Sequence, residues 1–218
     1  MIVVSFVGQK GGVGKSALAR VLAVAAARSG RKVLIGDYDL EQLSCVEWGA
    51  TRLKNGIEPE VEVRPFKSIK KLRKTTDGFD LVVVDTRGLA DELTEQISTE
   101  SNVIFLPTGT SLDDLRPTIR LAKRLSRLGE NGSKIILVLS KTGRSERMVA
   151  NAQSYIDHAG FDYLDAMWPQ RDGFQAEFDA GRAGSEASNP HLKQAALDVE
   201  TAMLACLSDL PIRLQEFS

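Results

Sequence analysis

The stretch "VGQKGGVGKSALAR", residues 7–20, places four glycines and two lysines directly after an apolar run. The apolar residues 2–7 predict a buried strand, and the alanine-rich residues 16–29 predict a helix. Glycines between a strand and a helix allow backbone N–H groups to converge on an anion, and the helix N-terminus adds partial positive charge. The sequence therefore predicts a phosphate-binding loop at this junction.

The end of the loop carries the side chains that act on a nucleotide. Lys15 is expected to reach the β- and γ-phosphates, and the Ser16 hydroxyl is expected to ligate Mg²⁺. The other candidate nucleotide contacts are Gly11, Gly12, Val13, Gly14 and Ala17. The common pattern G-x-x-x-x-G-K-[ST] requires glycine where this chain has Gln9, and the chain instead reads K-G-G-V-G-K-S from Lys10 onward. Lys10 therefore needs an explanation of its own.

Short apolar runs alternate with helical patterns along the rest of the chain. We predict strands at 2–7, 33–36, 81–84, 103–106 and 135–139, with weaker candidates at 61–63 and 163–167. We predict helices at 16–29, 43–54, 68–74, 90–99, 112–128 and 146–159, and only helices after residue 170, including a C-terminal segment at about 190–208. Nearly continuous apolar strands are typical of a parallel sheet that is buried on both faces. We expect a single α/β domain over residues 1–218, a P-loop NTPase with a mostly parallel, doubly wound sheet and helices on both faces.

The overall composition limits the classes of partner. The net charge of −1 provides no overall positive field, so any affinity for nucleic acid must come from a local patch. The two cysteines, Cys45 and Cys206, form no metal-binding spacing and no disulfide framework. The first residues lack the charged region of a signal peptide, and no stretch approaches the roughly 20 apolar residues of a membrane span. We expect a cytoplasmic protein without a membrane partner.

Three aspartates follow or end predicted strands. Asp37 and Asp39 belong to "VLIGDYDLEQLS" (33–44), and Asp85 belongs to "FDLVVVDTRG" (79–88). Ligands of parallel sheets bind at the carboxyl ends of the strands, where carboxylates suit Mg²⁺ and the positioning of water. The residues that follow Asp85, 86–88, predict a turn that senses the γ-phosphate.

The motif K-G-G-V-G-K-S resembles that of the deviant-Walker ATPases of the ParA/MinD family, whose hallmark is K-G-G-x-G-K-[ST] with a signature lysine in first position. The resemblance extends over roughly residues 1–185 and implies an ATPase that uses ATP and Mg²⁺. In that family the signature lysine reaches the nucleotide of a second subunit. The resemblance therefore implies that Lys10 acts in trans in an ATP-dependent homodimer, while Lys15 acts on the nucleotide of its own subunit. Two ammonium groups beside an empty loop are expected to repel each other until a triphosphate binds.

The same resemblance assigns the carboxylates. It implies that Asp85 is the Walker B aspartate on Mg²⁺, that Asp37 supports the metal together with Ser16, and that Asp39 activates the attacking water. Residues 40–42 read Leu-Glu-Gln where the family often has Pro-Gln, which leaves the local geometry open. Residues 168–184 resemble a segment that borders the adenine and the dimer interface. Pro169 and Arg171 are its candidates, with a structural role as an equal alternative.

Three kinds of protein within the family are candidates for this chain. A metal-cluster carrier needs paired interface cysteines, which the chain lacks. A MinD-like membrane-cycling regulator needs a basic amphipathic C-terminal helix, and residues 206–218 are interrupted by Pro211 and carry one basic residue, Arg213. A small single-domain ParA partition ATPase fits better. Because the first strand begins at residue 2, we expect no N-terminal operator-binding extension and no direct transcriptional autoregulation.

A partition ATPase needs a cationic surface for DNA. On the predicted helix 112–128 the basic residues Arg116, Arg120, Lys123 and Arg127 fall on one stripe, which we call the α5 basic stripe. We expect Leu121, Leu125 and Leu128 on the opposite, buried side. Phosphate contacts from such a stripe are sensitive to salt, and the absence of interleaved aromatic residues argues against single-strand binding. Residues 64–74, and Arg144 with Arg147, form alternative patches, and a solvated face without a ligand is an alternative for each.

The sequence thus predicts a ParA-type ATPase that dimerises with ATP, binds double-stranded DNA non-specifically and drives plasmid or chromosome segregation. Its expected partner is a centromere-binding or cargo adaptor protein that stimulates hydrolysis, and its expected location is the nucleoid. The alternatives are the positioning of a protein cargo by the same chemistry and MinD-like membrane cycling.

Overall fold

The computed structural model describes residues 1–89, 91–128, 134–208 and 210, which form an eight-stranded sheet with helices on both faces. The strands are β1 (Ile2–Phe6), β2 (Val33–Asp37), β3 (Glu62–Pro65), β4 (Leu81–Asp85), β5 (Val103–Thr108), β6 (Lys134–Thr142), β7 (Asp162–Tyr163) and β8 (Trp168–Pro169). The α-helices are α1 (Lys15–Arg28), α2 (Ser44–Lys54), α3 (Ile69–Arg73), α4 (Glu92–Glu100), α5 (Leu112–Leu128), α6 (Glu146–His158), α7 (Asp172–Asp179) and α8 (Pro190–Ser208). A short 3₁₀ helix covers Gly184–Glu186.

The strands lie in the order β3-β2-β4-β1-β5-β6-β7, and β8 pairs with the carboxyl end of β6. All pairings between the described strands are parallel, which confirms the predicted sheet. Because the strands are parallel, their carboxyl ends meet at one edge, with the phosphate loop after β1 in the middle. Asp85 at the end of β4 stands in register with Asp37 of β2 on one side and with Phe6 of β1 on the other.

The side chains of the central strands alternate between two packed layers. Val4, Phe6 and Val83 pack with α1, α2, α7 and α8 in one layer. Val3 and Val82 face the opposite layer, where α3 and α4 pack, and the neighbouring strands β5 and β6 pack there against α5 and α6. This arrangement confirms the doubly wound architecture. The alanine-rich α1 is buried over most of its length, and it places the phosphate loop directly above the core.

Some element boundaries differ from the prediction. The predicted strand 163–167 is in fact two separate two-residue strands, β7 and β8, which pair with different parts of β6. The predicted strand 61–63 lies at Glu62–Pro65, and β5 and β6 extend through polar residues to Thr108 and Thr142 because their backbones continue to pair there. Residue 90, the predicted start of a helix, lies outside the described residues, and α4 begins after Asp91, whose carboxylate accepts a hydrogen bond from the Thr94 N–H at 2.9 Å.

Among the described residues, no helix is both long enough and apolar enough to span a bilayer. The sequence argument against a C-terminal membrane helix concerned residues 206–218, of which 209 and 211–218 lie outside the described residues.

Candidate functional site

A cavity of about 430 Å³ opens at the carboxyl edge of the sheet, between the phosphate loop and the segment after β8. It brings together most of the residues that the sequence predicted for the nucleotide site. The predicted residues that line it are Gly11, Gly12, Gly14, Lys15, Ser16, Ala17, Asp39, Pro169 and Arg171. Its walls also include Arg20, Thr86, Gly88, Lys141 and Trp168.

The phosphate loop has the backbone geometry that an anion site requires. Gly12 and Gly14 have positive φ values of 70° and 95°, which side chains other than glycine rarely adopt. Gly14 also lies under Ser140, because a Cβ at Gly14 would stand 2.7 Å from the Ser140 Oγ. The Ser140 hydroxyl fixes the loop from that side by donating to the Val13 carbonyl at 2.7 Å. Helix α1 begins at Lys15 without a side-chain cap, so its first N–H groups are free of side-chain acceptors and suit a phosphate.

Lys15 lies beneath the loop and is 6% exposed. Its ammonium donates to the Lys10 carbonyl at 3.1 Å. Burial lowers the pKa of Lys15, and the negative charges of Asp85 and Asp39 offset part of this effect. A phosphate in the cradle would supply a further negative charge for this ammonium.

Asp85 is the group that best fits a metal-binding role. It is 1% exposed, and its Oδ1 has no hydrogen-bond partner among the described residues. Burial raises the pKa of Asp85 to about 6, against the opposing effect of a hydrogen bond from Ser16. A buried carboxylate oxygen without a partner, next to the Ser16 hydroxyl, fits a divalent cation such as Mg²⁺.

Asp37 lies beside Asp85, but its carboxylate is occupied by the backbone. Its Oδ1 accepts from the Asp39 N–H at 3.0 Å, and its Oδ2 accepts from the N–H groups of Cys45 and Val46 at 2.9 and 3.2 Å. Asp37 thus caps the first turn of α2 from the end of β2, a structural contact that the sequence reasoning missed. Burial raises the pKa of Asp37, and these backbone hydrogen bonds counteract the rise.

The Cys45 thiol completes this buried group. It lies 3.3 Å from Asp85 Oδ2, and ligand atoms of Asp37, Cys45 and Asp85 all lie within 4.8 Å of one another. Burial raises the pKa of Cys45 well above its ordinary value, so the thiol is protonated and donates to Asp85. The sequence reasoning considered Cys45 only for disulfide or metal-cluster roles and did not place it here.

Asp39 lies half-buried at the cavity wall, in the turn where the chain departs from the Pro-Gln pattern. The turn closes through two hydrogen bonds, from the Gln42 N–H to Asp39 Oδ1 at 3.2 Å and from the Leu43 N–H to the Asp39 carbonyl at 2.7 Å. Leu43 takes a positive φ of 48° to enter α2. The substituted sequence therefore keeps a closed turn with a carboxylate at the cavity.

The Lys10 side chain does not stand free beside the loop but is bound to helix α5 of its own chain. Its ammonium donates to Asp114 Oδ1 at 2.8 Å and to the Asp113 carbonyl at 2.7 Å, in the first turn of α5. Lys10 is not among the residues that line the cavity. The hydrogen bond from Lys10 lowers the pKa of Asp114, and a second one from Ser111 adds to the effect. The Asp114 carboxylate compensates part of the charge of Lys10, which reduces the repulsion expected between the two lysines of the empty loop.

The turn after β4 contacts the phosphate loop directly. A Cβ at Gly88 would stand 2.7 Å from the Gly11 N, so only glycine permits this approach. The Thr86 hydroxyl anchors the turn by donating to the Phe6 carbonyl at 2.9 Å. This position next to the loop suits the predicted role of the turn in sensing a γ-phosphate, which stays a prediction.

Strand β8 and the segment after it form the far wall of the cavity. Trp168 is buried and stacks on Phe174, with ring centroids 4.2 Å apart. Pro169 and Arg171 line the cavity, and the Arg171 guanidinium donates to the Gln170 carbonyl at 3.0 Å. These contacts fit either a nucleotide-binding or a structural role.

Two basic residues at the cavity were not predicted. Arg20, one turn after Ser16 on α1, is 9% exposed and lies over the rings of Phe178 and Trp48, at 5.2 and 5.8 Å from their centroids. Its spacing from Ser16 was a signal in the sequence that it shares the helix face of the loop. Lys141 follows the apolar part of β6, and no local pattern in the sequence marks it.

The α5 basic stripe lies apart from the cavity. All four of its residues are exposed, as predicted. Leu121 and Leu125 are buried on the other side of α5, whereas Leu128 is 37% exposed, which corrects its predicted burial. In the alternative patch at 64–74, Arg64 and Arg73 form ion pairs with Glu62 and Glu100, which neutralises part of its charge.

Comparisons with known proteins agree with this geometry. The chain is 31% identical to the virC1 protein of Rhizobium radiobacter over 114 residues, which span 50% of this chain and 49% of that protein. It is 27% identical to virC1 of Rhizobium rhizogenes over 191 residues, 83% of this chain and 82% of that protein. Among solved structures, the cell division ATPase MinD of Pyrococcus furiosus aligns with a TM-score of 0.76 at 19% identity, covering 94% of this chain and 99% of MinD. A putative plasmid partition protein of Borrelia burgdorferi bound to AMPPNP aligns with a TM-score of 0.72 at 14% identity, covering 94% of this chain and 99% of the partition protein.

The match to a family description decides the classification of the chain. Residues 4–177 match the CobQ/CobB/MinD/ParA nucleotide binding domain, and this range contains the phosphate loop, all three aspartates and the wall after β8. Its span exceeds half of the chain. The chain therefore belongs to the CobQ/CobB/MinD/ParA family of nucleotide-binding domains.

Proposed function

We propose that this chain is an ATP-dependent switch that closes into a homodimer around two nucleotides, binds duplex DNA in that state and serves DNA segregation. The observation that carries the proposal is the separation of the two lysines of the loop. Lys15 lies at the cavity, whereas the Lys10 ammonium lies outside it on α5. A lysine whose ammonium lies outside the cavity of its own chain, in a partly exposed ion pair, can exchange that partner for a nucleotide held by another copy of the chain.

The residues in and around the cavity have distinct roles in this proposal. The loop backbone and Lys15 bind and orient the phosphates, and Asp39 orients the attacking water. Ser16 and Asp85 would hold Mg²⁺, with Asp37 keeping the neighbouring turn in place. When bound, Mg²⁺ neutralises charge on the phosphates. Lys10 of each protomer stabilises the charge that develops on the phosphoryl group in the other protomer, as an arginine finger does.

Dimerisation requires Lys10 to leave Asp114. The pair is partly exposed, with Lys10 and Asp114 side chains 44% and 31% exposed, so the cost of breaking it is about 0.2–1 kcal/mol. A charge-assisted contact to a triphosphate is stronger, at roughly 1.5–3 kcal/mol. The exchange is therefore favourable with a triphosphate across the interface and unfavourable without one.

The α5 basic stripe is the proposed DNA surface. Its four exposed cations would contact phosphates without reading bases, and a dimer would present two stripes. An adaptor protein that favours hydrolysis would return the chain to the monomer and release it from DNA. Solved structures of a cell division ATPase and of a putative plasmid partition protein share this fold, so the choice between these uses rests on the α5 basic stripe.

The test combines oligomeric state and DNA binding. Wild type is expected to be monomeric with ADP and dimeric with a non-hydrolysable ATP analogue in light-scattering gel filtration, and to shift a duplex only in the second case. Lys10→Ala is expected to bind the analogue yet remain monomeric, and Lys54→Ala, an exposed lysine on α2, is the control. A Lys10→Ala protein that dimerises like wild type contradicts the trans role. Binding of the analogue-bound chain to anionic vesicles but not to duplex would favour membrane cycling instead.

A further inference from the structure

Strand β6 contains an irregularity at the cavity. Ser140 pairs with Trp168 of β8 and Thr142 pairs with Pro169, with a shift of register between them. Lys141 is the residue in the shift, and its φ of 53° is in the left-handed region. Bulges of this kind redirect a side chain and are frequent beside active sites.

The bulge is held on both sides by buried polar residues. Ser140 is 1% exposed and donates to Val13 in the phosphate loop, and Thr142 is 4% exposed. Left-handed backbone is unfavourable for a residue with a side chain, because its Cβ comes too close to the following carbonyl oxygen. Surrounding structure maintains such conformations mostly where they place a functional group.

The bulge directs Lys141 toward the phosphate loop. Its Nζ lies 3.6 Å from the position that a Cβ on Gly12 would occupy, and Lys141 lines the same cavity as Lys15. Gly12 belongs to the run of backbone N–H groups that forms the cradle. The ammonium of Lys141 is therefore at the rim of the cradle, on the side opposite Asp39 and the carboxylates of β2 and β4.

The three lysines around the loop differ in their partners. Lys10 is paired with Asp114, and the buried Lys15 is attracted by Asp85 and Asp39. Lys141 is exposed and has no ion-pair partner in the part of the chain that the structure describes. Its charge is thus available to an anion from outside the chain.

We propose that Lys141 is a nucleotide-binding residue, with its ammonium on the phosphate groups of the nucleotide in the cradle. The ligand class is a nucleoside di- or triphosphate, and the contact adds to that of Lys15 from the β6 side. This inference rests on nucleotide binding in the proposed cavity and on no other part of the proposed function. Dimerisation and DNA binding are not needed for it.

The experiment compares charge with shape at this position. Lys141→Met keeps a long unbranched stem without the charge, and Lys141→Arg keeps the charge. We expect Lys141→Met to raise the Kd of a fluorescent ATP analogue about tenfold, because it removes one exposed charge-assisted contact with the phosphates. Lys141→Arg should stay within about threefold of wild type. Lys134→Met, at the other end of β6, is the matched control and should bind as wild type.

Displacement by inorganic tripolyphosphate separates a contact with the phosphates from a contact with the base or the sugar. Because tripolyphosphate has no base or sugar, Lys141→Met should weaken its competition by a similar factor, and a contact with the base or sugar alone would leave that competition unchanged. Equal losses in Lys141→Met and Lys141→Arg, or wild-type affinity in Lys141→Met with a normal melting temperature, overturn the inference. If wild type itself binds no nucleotide, or if Lys15→Met binds as well as wild type, the proposed cavity fails instead.

Discussion

Replacing Asp85 with asparagine changes how the stability of the protein depends on pH. The buried carboxylate has a pKa of about 6 in the folded protein, against an ordinary value of 3.8. The unfolded chain therefore loses this proton at lower pH than the native state does, and ionisation of Asp85 opposes folding above pH 4. The penalty is about 3 kcal/mol at pH 8 and falls to roughly half of that at pH 5, because the native state takes up the proton as pH falls through 6.

An asparagine side chain does not titrate, so the Asp85→Asn protein lacks this pH dependence. The difference in free energy of unfolding, variant minus wild type, should therefore be roughly 1–2 kcal/mol more favourable to the variant at pH 8 than at pH 5. The absolute difference also contains the cost of a buried amide N–H₂ where Oδ1 had no partner, and comparing two pH values cancels that cost.

The assay is urea unfolding of nucleotide-free and magnesium-free protein at pH 5, 6, 7 and 8, followed by circular dichroism. Asp113→Asn, which removes an exposed carboxylate on α5, is the control for the loss of one negative charge. A difference for Asp85→Asn that stays constant from pH 5 to pH 8 would refute the reasoning, since Asp85 would then titrate alike in the folded and unfolded states. The variant should also lose Mg²⁺-dependent nucleotide affinity, although its fold is intact.

The other predictions address the switch. Asp39→Ala should slow turnover at least tenfold and let dimers persist with ATP itself, and unchanged single-turnover hydrolysis would move the water-orienting role elsewhere. Asp114→Asn should free Lys10 and strengthen analogue-dependent dimerisation up to about fivefold per protomer, as measured by sedimentation. The control Asp113→Asn should leave dimerisation unchanged. Equal behaviour of the two variants contradicts the competition between Asp114 and the second nucleotide for Lys10. Charge reversal at Arg120 and Lys123 should weaken duplex binding at least tenfold at moderate salt and reduce its salt dependence, and unchanged binding would exclude this face of α5.

Local patterns in the sequence were sufficient to predict the phosphate loop and the sheet edge. Lys15 and Ser16 follow a strand and open a helix, and this order alone places them at the cavity. Asp85 and Asp37 each end an apolar run. Because parallel pairing brings the carboxyl ends of strands together whatever the register, the two aspartates are expected at the same edge of the sheet. Helix α5 was predicted with its observed bounds, because an amphipathic pattern over 17 residues marks both its ends and its buried side.

Contacts between distant segments were beyond such patterns. Lys10 and Asp114 are 104 residues apart, and nothing near either residue indicates their pairing. The position of Cys45 beside Asp85 depends on how α2 enters after the turn at Leu43. Lys141 enters the cavity only because β8 pairs with β6 out of register, and a two-residue strand has too little periodicity to reveal that.

Helix α5 joins the two halves of the proposed function, because its first turn holds Lys10 and its outer face carries the basic stripe. Asp114 and Lys123 lie nine residues apart, which is about 13 Å along the helix. In the proposed dimer Lys10 leaves Asp114 in the same event that brings two stripes into one particle, so DNA affinity follows nucleotide state. Linked equilibria are reciprocal, and duplex DNA must therefore strengthen dimerisation by the factor by which dimerisation strengthens DNA binding. Neither dimerisation nor DNA binding requires a change of fold. They require only that Lys10 exchanges the Asp114 carboxylate for the phosphates of the second nucleotide.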